Sequence, residues 1–445
     1  MDHIADTELI LFSLDPAACD RRLEIETHLA ECAQCCATAD FMRATDEDLG
    51  DPDVWERTEG SATLRSLQAI AERIAAEDAV ADELLRNLLA APAATAWTKL
   101  HARKKYLTGG VVRRLSAEAH RVCEAEPLDA LTFADAAISV AEALPDDEYP
   151  ANAVYELRGT AWKERANALR LLGRFDEALD SLARADRAYR HLTSSALGLS
   201  SVAYVRATVL FERQQFEEAA IVAESAERGF AHLGDDHRRM AALYLRADIK
   251  YEQHDFKTAI SLFQQVLEFG ESLPDAVWVA RAAYALGNCY VDAGDVGEAS
   301  AHFHRALLLF REGGEEAHLI RTEWGIARVL IAVGKHEEAI RRLREVTGGL
   351  ESRGLVTDAA LASVDAADAR LALGQMRQIV DLATHVFGVF MEAGMLTSAL
   401  TAMAYIKETA AAGTLTAADL DAVRNFLRRA ERQPSLLFVP PHTSR

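Results

Sequence analysis

A single spacing constrains this chain more than any other feature: one short pattern returns every forty residues from Gly173 to Ile379. Gly173-Arg-Phe-Asp-Glu-Ala178 aligns with Gln214-Gln-Phe-Glu-Glu-Ala219 and His254-Asp-Phe-Lys-Thr-Ala259. Gly294-Asp-Val-Gly-Glu-Ala299, Gly334-Lys-His-Glu-Glu-Ala339 and Gly374-Gln-Met-Arg-Gln-Ile379 continue the series, with successive starts 41, 40, 40, 40 and 40 residues apart. Seven residues before each start stands a small residue: Ala166, Ala207, Ala247, Gly287, Ala327 and Ala367. Twelve residues after it comes Ala185, Ala226, Val266, Ala306, Val346 or Val386. A fixed period of this length means stacked supersecondary units, each too small to bury its own apolar face alone. Small residues at matching positions let two helices approach closely, and acids at the start of the second helix meet its positive end. The expected fold class is all-α.

These residues resemble the tetratricopeptide repeat in a forty-residue form. The resemblance implies a stack of helical hairpins, here six from about Gly159 to Met395. An earlier degenerate pair is expected over Arg113 to Leu144, where Thr132-Phe-Ala-Asp-Ala-Ala137 echoes the start of a second helix. Thr416 to Arg432 reads as the polar-faced cap such stacks need, and the tail from Gln433, with three Pro, as extended. In repeats of this kind the first helix, A, lines the concave surface with the fifth and ninth residues of each unit. Those positions hold Lys163 and Asn167, Tyr204 and Thr208, Tyr244 and Asp248, Tyr284 and Asn288, Trp324 and Arg328. The sixth repeat places Val364 and Asp368 there. Aromatic anchors alternating with polar groups suit a protein or peptide partner. Lys163 and Asn167 resemble half of a carboxylate clamp, but Ala241 and Leu245 replace its remaining basic members, so no clamp is expected.

The cysteines point to a second site. Four of six, Cys19, Cys32, Cys35 and Cys36, fall in the first 36 positions. On a helix, His28 and Cys32 stand one turn apart with Cys35 following at i+3, a shared face suited to tetrahedral zinc. The fourth ligand is open among His3, Cys19 and Cys36. The spacing H-x24-H-x3-C-x2-C of His3, His28, Cys32 and Cys35 resembles the zinc-binding domain of bacterial anti-sigma factors, over about the first 45 residues only. The resemblance implies that these four residues hold zinc and that a sigma factor is a candidate partner. It is incomplete: the segment 40–56 is broken by Gly50-Asp-Pro52, so the long helix with which that family wraps a sigma factor is expected to be short or missing.

The organisation expected is a zinc head (1–45), a helical linker (46–112), the solenoid (113–412), a cap helix (413–433) and an extended tail (434–445). The linker holds a basic island, with seven basic residues and no acid between Leu84 and Ala117. It is read as a helical face neutralised by the chain's own acidic surface. Forty-eight basic against 69 acidic residues give a net charge of −21, which repels phosphate backbones and makes nucleic acid an unfavourable partner. No run of 18 residues lacks a charge, so no membrane span is expected. The start MDHIADTELI lacks a basic leader, and a cytoplasmic location is expected. No nucleophile elbow, HExxH, kinase set or dinucleotide fingerprint occurs, and a four-ligand zinc site has no open position for chemistry. The function expected is a non-enzymatic regulatory adaptor in bacterial transcription or signalling. The alternatives are a scaffold or chaperone-like adaptor with a purely structural zinc head, or a protein that controls a separate enzyme by binding it.

Overall fold

The computed structural model describes Ile4 and residues 21–32, 35–36, 39, 62–89, 100–145, 148–192, 194–273, 275–393, 397–432 and 436–441. These residues form helices and no strands, and the chain divides into two compact units, Met1–Leu85 and Arg86–Arg445. The first unit contains α1 (Arg22–Glu31) and most of α2 (Ala62–Leu89). The segment 40–61 lies outside the described residues, and one 28-residue helix follows it.

The second unit opens with α3 (Gly109–Val122) and α4 (Pro127–Glu142). Six hairpins follow. Their A helices are α5 (Ala151–Leu171), α7 (Ala196–Glu212), α9 (Asp236–Glu252), α11 (Ala276–Ala293), α13 (Glu316–Ala332) and α15 (Val356–Ala372). Their B helices are α6 (Phe175–Arg190), α8 (Phe216–His232), α10 (Phe256–Ser272), α12 (Val296–Gly313), α14 (His336–Glu351) and α16 (Met376–Glu392). Two further helices, α17 (Thr397–Ala411) and α18 (Ala417–Arg432), close the chain.

The period is built into the packing. Ala166, Ala207, Ala247 and Ala327 are fully buried, and their B-helix counterparts Ala185, Ala226, Val266 and Val346 are buried with them. Gly287 takes the same role, because a Cβ there would sit 2.7 Å from the Phe303 ring. The first residue of each aligned motif proves to be the left-handed end of helix A. Gly173, Gly294, Gly334 and Gly374 have φ between 70 and 84°, and Gln214 and His254 adopt 63 and 59° in the same place. The residue after it then donates back to the last turn, as in Arg174 N to Leu169 O (2.9 Å) and Asp295 N to Tyr290 O (2.8 Å), closing carbonyls that the helix end leaves open. Asp255 and Asp295 cap the B helices that follow by accepting from Thr258 N and Glu298 N. No helix among the described residues is long and apolar enough to cross a membrane.

Candidate functional site

In the first unit α1 stops at Glu31, and Cys32 continues in extended backbone while its N–H donates to His28 O at 2.8 Å. The chain is helical again at Cys35 and Cys36, and Cys36 N donates to Cys32 O at 3.0 Å. The three side chains are thus gathered by a knuckle between two helical segments, where the spacing alone suggested one continuous helix face. Their ligating atoms all lie within 4.8 Å of one another. His28 Nε2 is buried and has no hydrogen-bond partner among the described residues. An imidazole nitrogen hidden from water beside two thiols is a donor set that fits a metal ion. Ile25, Cys35 and Ala39 form a small core with Leu29 and Ile4 around it. None of the five described cysteines is in a disulfide. Of the candidates for the fourth ligand, His3 and Cys19 lie outside the described residues; Cys36 is half-buried.

In the second unit the A helices bring the expected row together at two adjoining cavities. The first, about 180 Å³, contains Lys163, Asn167 and Tyr204 with His120, Glu164 and Arg238 in its wall. The second, about 380 Å³, contains Tyr204, Thr208, Tyr244, Asp248 and Tyr284. Tyr204 and Ala241 belong to both, so the two form one groove along the A-helix face. The Tyr204 and Tyr244 hydroxyls find no hydrogen-bond partner among the described residues, while the Tyr244 ring is fixed edge-on against Phe263 at 5.1 Å. Burial raises both phenols above their ordinary pKa, so each enters the groove as a neutral donor.

The sequence expectation missed the residues one helical turn earlier. Ser201, Ala241, Arg281 and Arg321 stand three positions before Tyr204, Tyr244, Tyr284 and Trp324, and all four line the groove. Their i−3 relation to the row, repeated at the forty-residue period, is the signal that would have found them. Arg321 is held by Asp358 at 2.8 Å. Arg281 is exposed, lies over the Trp278 ring with its guanidinium carbon 5.6 Å from the centroid, and pairs with no carboxylate among the described residues.

Asn288, Trp324 and Arg328 do not line this groove; the structure uses them between repeats. Arg328 donates to Asn288 Oδ1 at 3.1 Å and pairs with Asp292, which also accepts from Tyr251. Trp324 Nε1 donates to Asp365 Oδ2 at 2.7 Å.

At the other end of the groove a buried carboxylate is clamped from two sides. Glu164 meets Lys163 Nζ at 2.6 Å and His120 Nδ1 at 3.2 Å. Burial works to raise the Glu164 carboxyl, but the His120 hydrogen bond and the Lys163 charge outweigh it and leave the group below its ordinary value. The Glu164 hydrogen bond raises His120 in turn. Arg114 of the basic island pairs with Glu118 within α3 at 3.3 Å, and Lys105 sits over its neighbour's ring, Tyr106. A larger cavity, about 540 Å³, lies between α13 and α14, but its Arg342 and Glu323 neutralise each other at 2.7 Å. Its lining holds no aromatic side chain, unlike the groove around Tyr204 and Tyr244.

Helical hairpins stacked at a forty-residue period, with a groove of aromatic and polar side chains on one face, define an α-solenoid repeat protein. The tetratricopeptide repeat family model matches residues 238–307 and 278–352, and the chain carries tetratricopeptide repeats. Among solved structures it is similar to aspartyl phosphate phosphatase F from Bacillus subtilis, at 15% identity and a TM-score of 0.53, over 87% of this chain and 96% of that one. It is also similar to a signal transduction ATPase with numerous domains, carrying a tetratricopeptide repeat sensor, from Pyrococcus horikoshii. There the identity is 12% and the TM-score 0.52, over 98% of this chain and 64% of that one. At such identities the likeness is one of fold. No curated protein matches the sequence.

Proposed function

We propose that this chain is a non-enzymatic regulatory adaptor whose A-helix groove holds a peptide or protein segment and whose N-terminal unit is organised by zinc. One observation carries the groove reading: among the described residues, the Tyr204 and Tyr244 hydroxyls in the groove have no hydrogen-bond partner and Arg281 pairs with no carboxylate. A stacking-only surface satisfies its polar groups internally, as Trp324 and Arg328 do. This one leaves three recognition groups unused, and a bound segment rich in backbone carbonyls with one acidic group would satisfy them. The zinc reading rests on the orphaned His28 nitrogen beside Cys32 and Cys35. When bound, zinc supplies folding free energy to a unit with little core of its own. His28, Cys32 and Cys35 would hold it, with His3 as the fourth ligand by the anti-sigma resemblance. A sigma factor is then one candidate partner for the head.

The test combines Tyr204→Phe, Tyr244→Phe and Arg281→Ala in the full chain, followed by partner capture. These changes remove the recognition groups and leave the rings in place, so melting should be unchanged while captured partners are lost. Arg281 alone should cost about 2 kcal/mol if it is a hot spot. Equal capture by wild type and the triple variant rejects the groove. Capture repeated without residues 1–45 assigns any partner, including a sigma factor, to the head or to the repeats.

A further inference from the structure

The last helix breaks the order of the stack. Each B helix of the six repeats packs on the A helix of its own hairpin, yet α18 lies against α15, the A helix of the sixth repeat. Leu420, Val423 and Leu427 of α18 share one core with Leu361, Val364 and Ala367 of α15. Between these apolar contacts Arg424 Nε donates to Asp365 Oδ1 at 3.0 Å, and its guanidinium stands 3.9 Å from Asp368 Oδ2. The second Asp365 oxygen is the one that accepts from Trp324. Helix α18, which the sequence suggested as a polar-faced terminal cap, therefore lies on the face where partner contacts were expected. The tail fastens it from outside: Phe438 is buried between Tyr405 of α17 (5.5 Å) and Phe426 of α18 (5.2 Å).

We infer that α18 is a resident ligand. The A-helix face of α15 is a docking surface for an amphipathic helix with a central arginine, filled by α18 until a partner helix of the same chemistry takes its place. This rests on the reading that the A-helix face is the partner face. The chemistry of the occupant follows from the surface. Asp365 is only 6% exposed, and with Asp368 beside it the surface calls for a guanidinium. Apolar side chains four before, one before and three after that arginine fill the trough beside it, as Leu420, Val423 and Leu427 do around Arg424.

The test uses hydrogen exchange on the full chain and a fluorescent peptide of residues 415–432 added in trans. In the wild type, α18 should exchange through an opening of its own, with α15 and the helices before it still protected. Exchange of α15, α17 and α18 in one step overturns the proposal. The variant Phe438→Ala removes the outer clamp without touching α15, and it should take up the peptide at least about tenfold more tightly than the wild type. The same peptide carrying Arg424→Gln should lose at least about tenfold of that affinity, since truncating one member of a buried charge pair is costly. Peptide uptake indifferent to this change, or no uptake although α18 opens faster, also overturns it. The Tyr204, Tyr244 and Arg281 variant separates the two ideas, because it impairs the open groove and leaves the α18 seat intact.

Discussion

Trp324 on α13 and Asp365 on α15 stand 41 residues apart in sequence, and the indole N–H donates to the carboxylate across 2.7 Å. One such tie joins each of several neighbouring A helices. Trp278 reaches His237 at 3.4 Å over the same separation, and Arg328 reaches Asn288 at 3.1 Å over forty residues. The forty-residue period thus sets polar contacts between repeats as well as apolar ones. Trp324→Phe keeps a smaller aromatic ring and deletes the donor, leaving a nearly buried Asp365 oxygen without that bond. It should destabilise the solenoid by about 1–3 kcal/mol in urea unfolding. Tyr204→Phe is the control, since its hydroxyl has no hydrogen-bond partner among the described residues, and it should stay within about 0.5 kcal/mol of wild type.

Gln214 and His254 hold a backbone conformation that glycine holds in the other four repeats. A side chain with Cβ in the left-handed region costs roughly 1–2 kcal/mol, part of which glycine returns as unfolded-state entropy. Gln214→Gly and His254→Gly should each stabilise the chain by about 0.5–1 kcal/mol, and the two should add because the sites lie in different hairpins. Thermal or urea unfolding checks this. A fall in stability for both would show that the side chains make contacts worth more than the strain.

The repeats were readable because helix packing repeats the same demand at the same spacing. Ala207 and Ala226 can be placed against each other from periodicity alone. The left-handed turns were half visible: four of the six starts are Gly, while Gln214 and His254 disguise the other two. The groove was legible as far as Tyr284. Beyond it, the role of Trp324 depended on Asp365 and Arg424, residues that no local pattern links across 59 positions. The gathering of His28, Cys32 and Cys35 followed from spacing, but the end of α1 at Glu31 did not, because metal-ligand spacing is compatible with both a helix face and a knuckle. Arg281 escaped notice since a lone arginine on a helix reads as a solvated charge until its neighbours are known.

His120 and Glu164 tie α3 to α5, and the tie depends on pH with a definite sign. The hydrogen bond to Glu164 holds the folded His120 above its ordinary value of 6.5, so its contribution is full below that value and is lost as pH rises through the folded one. Glu164 is held below its ordinary 4.5, so its contribution is present above 4.5 and is lost as pH falls through the folded value. The pair therefore supports the fold most between these two ordinary values. His120 is largely solvent-exposed, 72% for its side chain, which limits the effect to under about 1 kcal/mol. Comparing wild type with His120→Gln by urea unfolding should give a clear gap near about pH 5.5 that closes at about pH 8.5. A gap independent of pH would mean that the imidazole acts by packing alone.

Zinc should be found at one ion per chain in protein purified under reducing conditions, and its removal should act on the first unit alone. A structural zinc ion contributes on the order of 10 kcal/mol to the fold that encloses it, more than the small core around Ile25 and Ala39 supplies. A strong chelator should abolish the helical signal of α1 and leave the cooperative unfolding of the repeats at the same midpoint. Cys32→Ser and Cys35→Ser should each prevent binding, because each removes a thiolate from the cluster whose ligating atoms lie within 4.8 Å. The fourth ligand is then decided by His3→Ala, Cys19→Ser and Cys36→Ser measured side by side. Loss of zinc in His3→Ala alone supports the anti-sigma spacing, and loss in Cys19→Ser or Cys36→Ser alone replaces it. Metal-free protein with an intact α1 would show that His28, Cys32 and Cys35 are neighbours without being ligands.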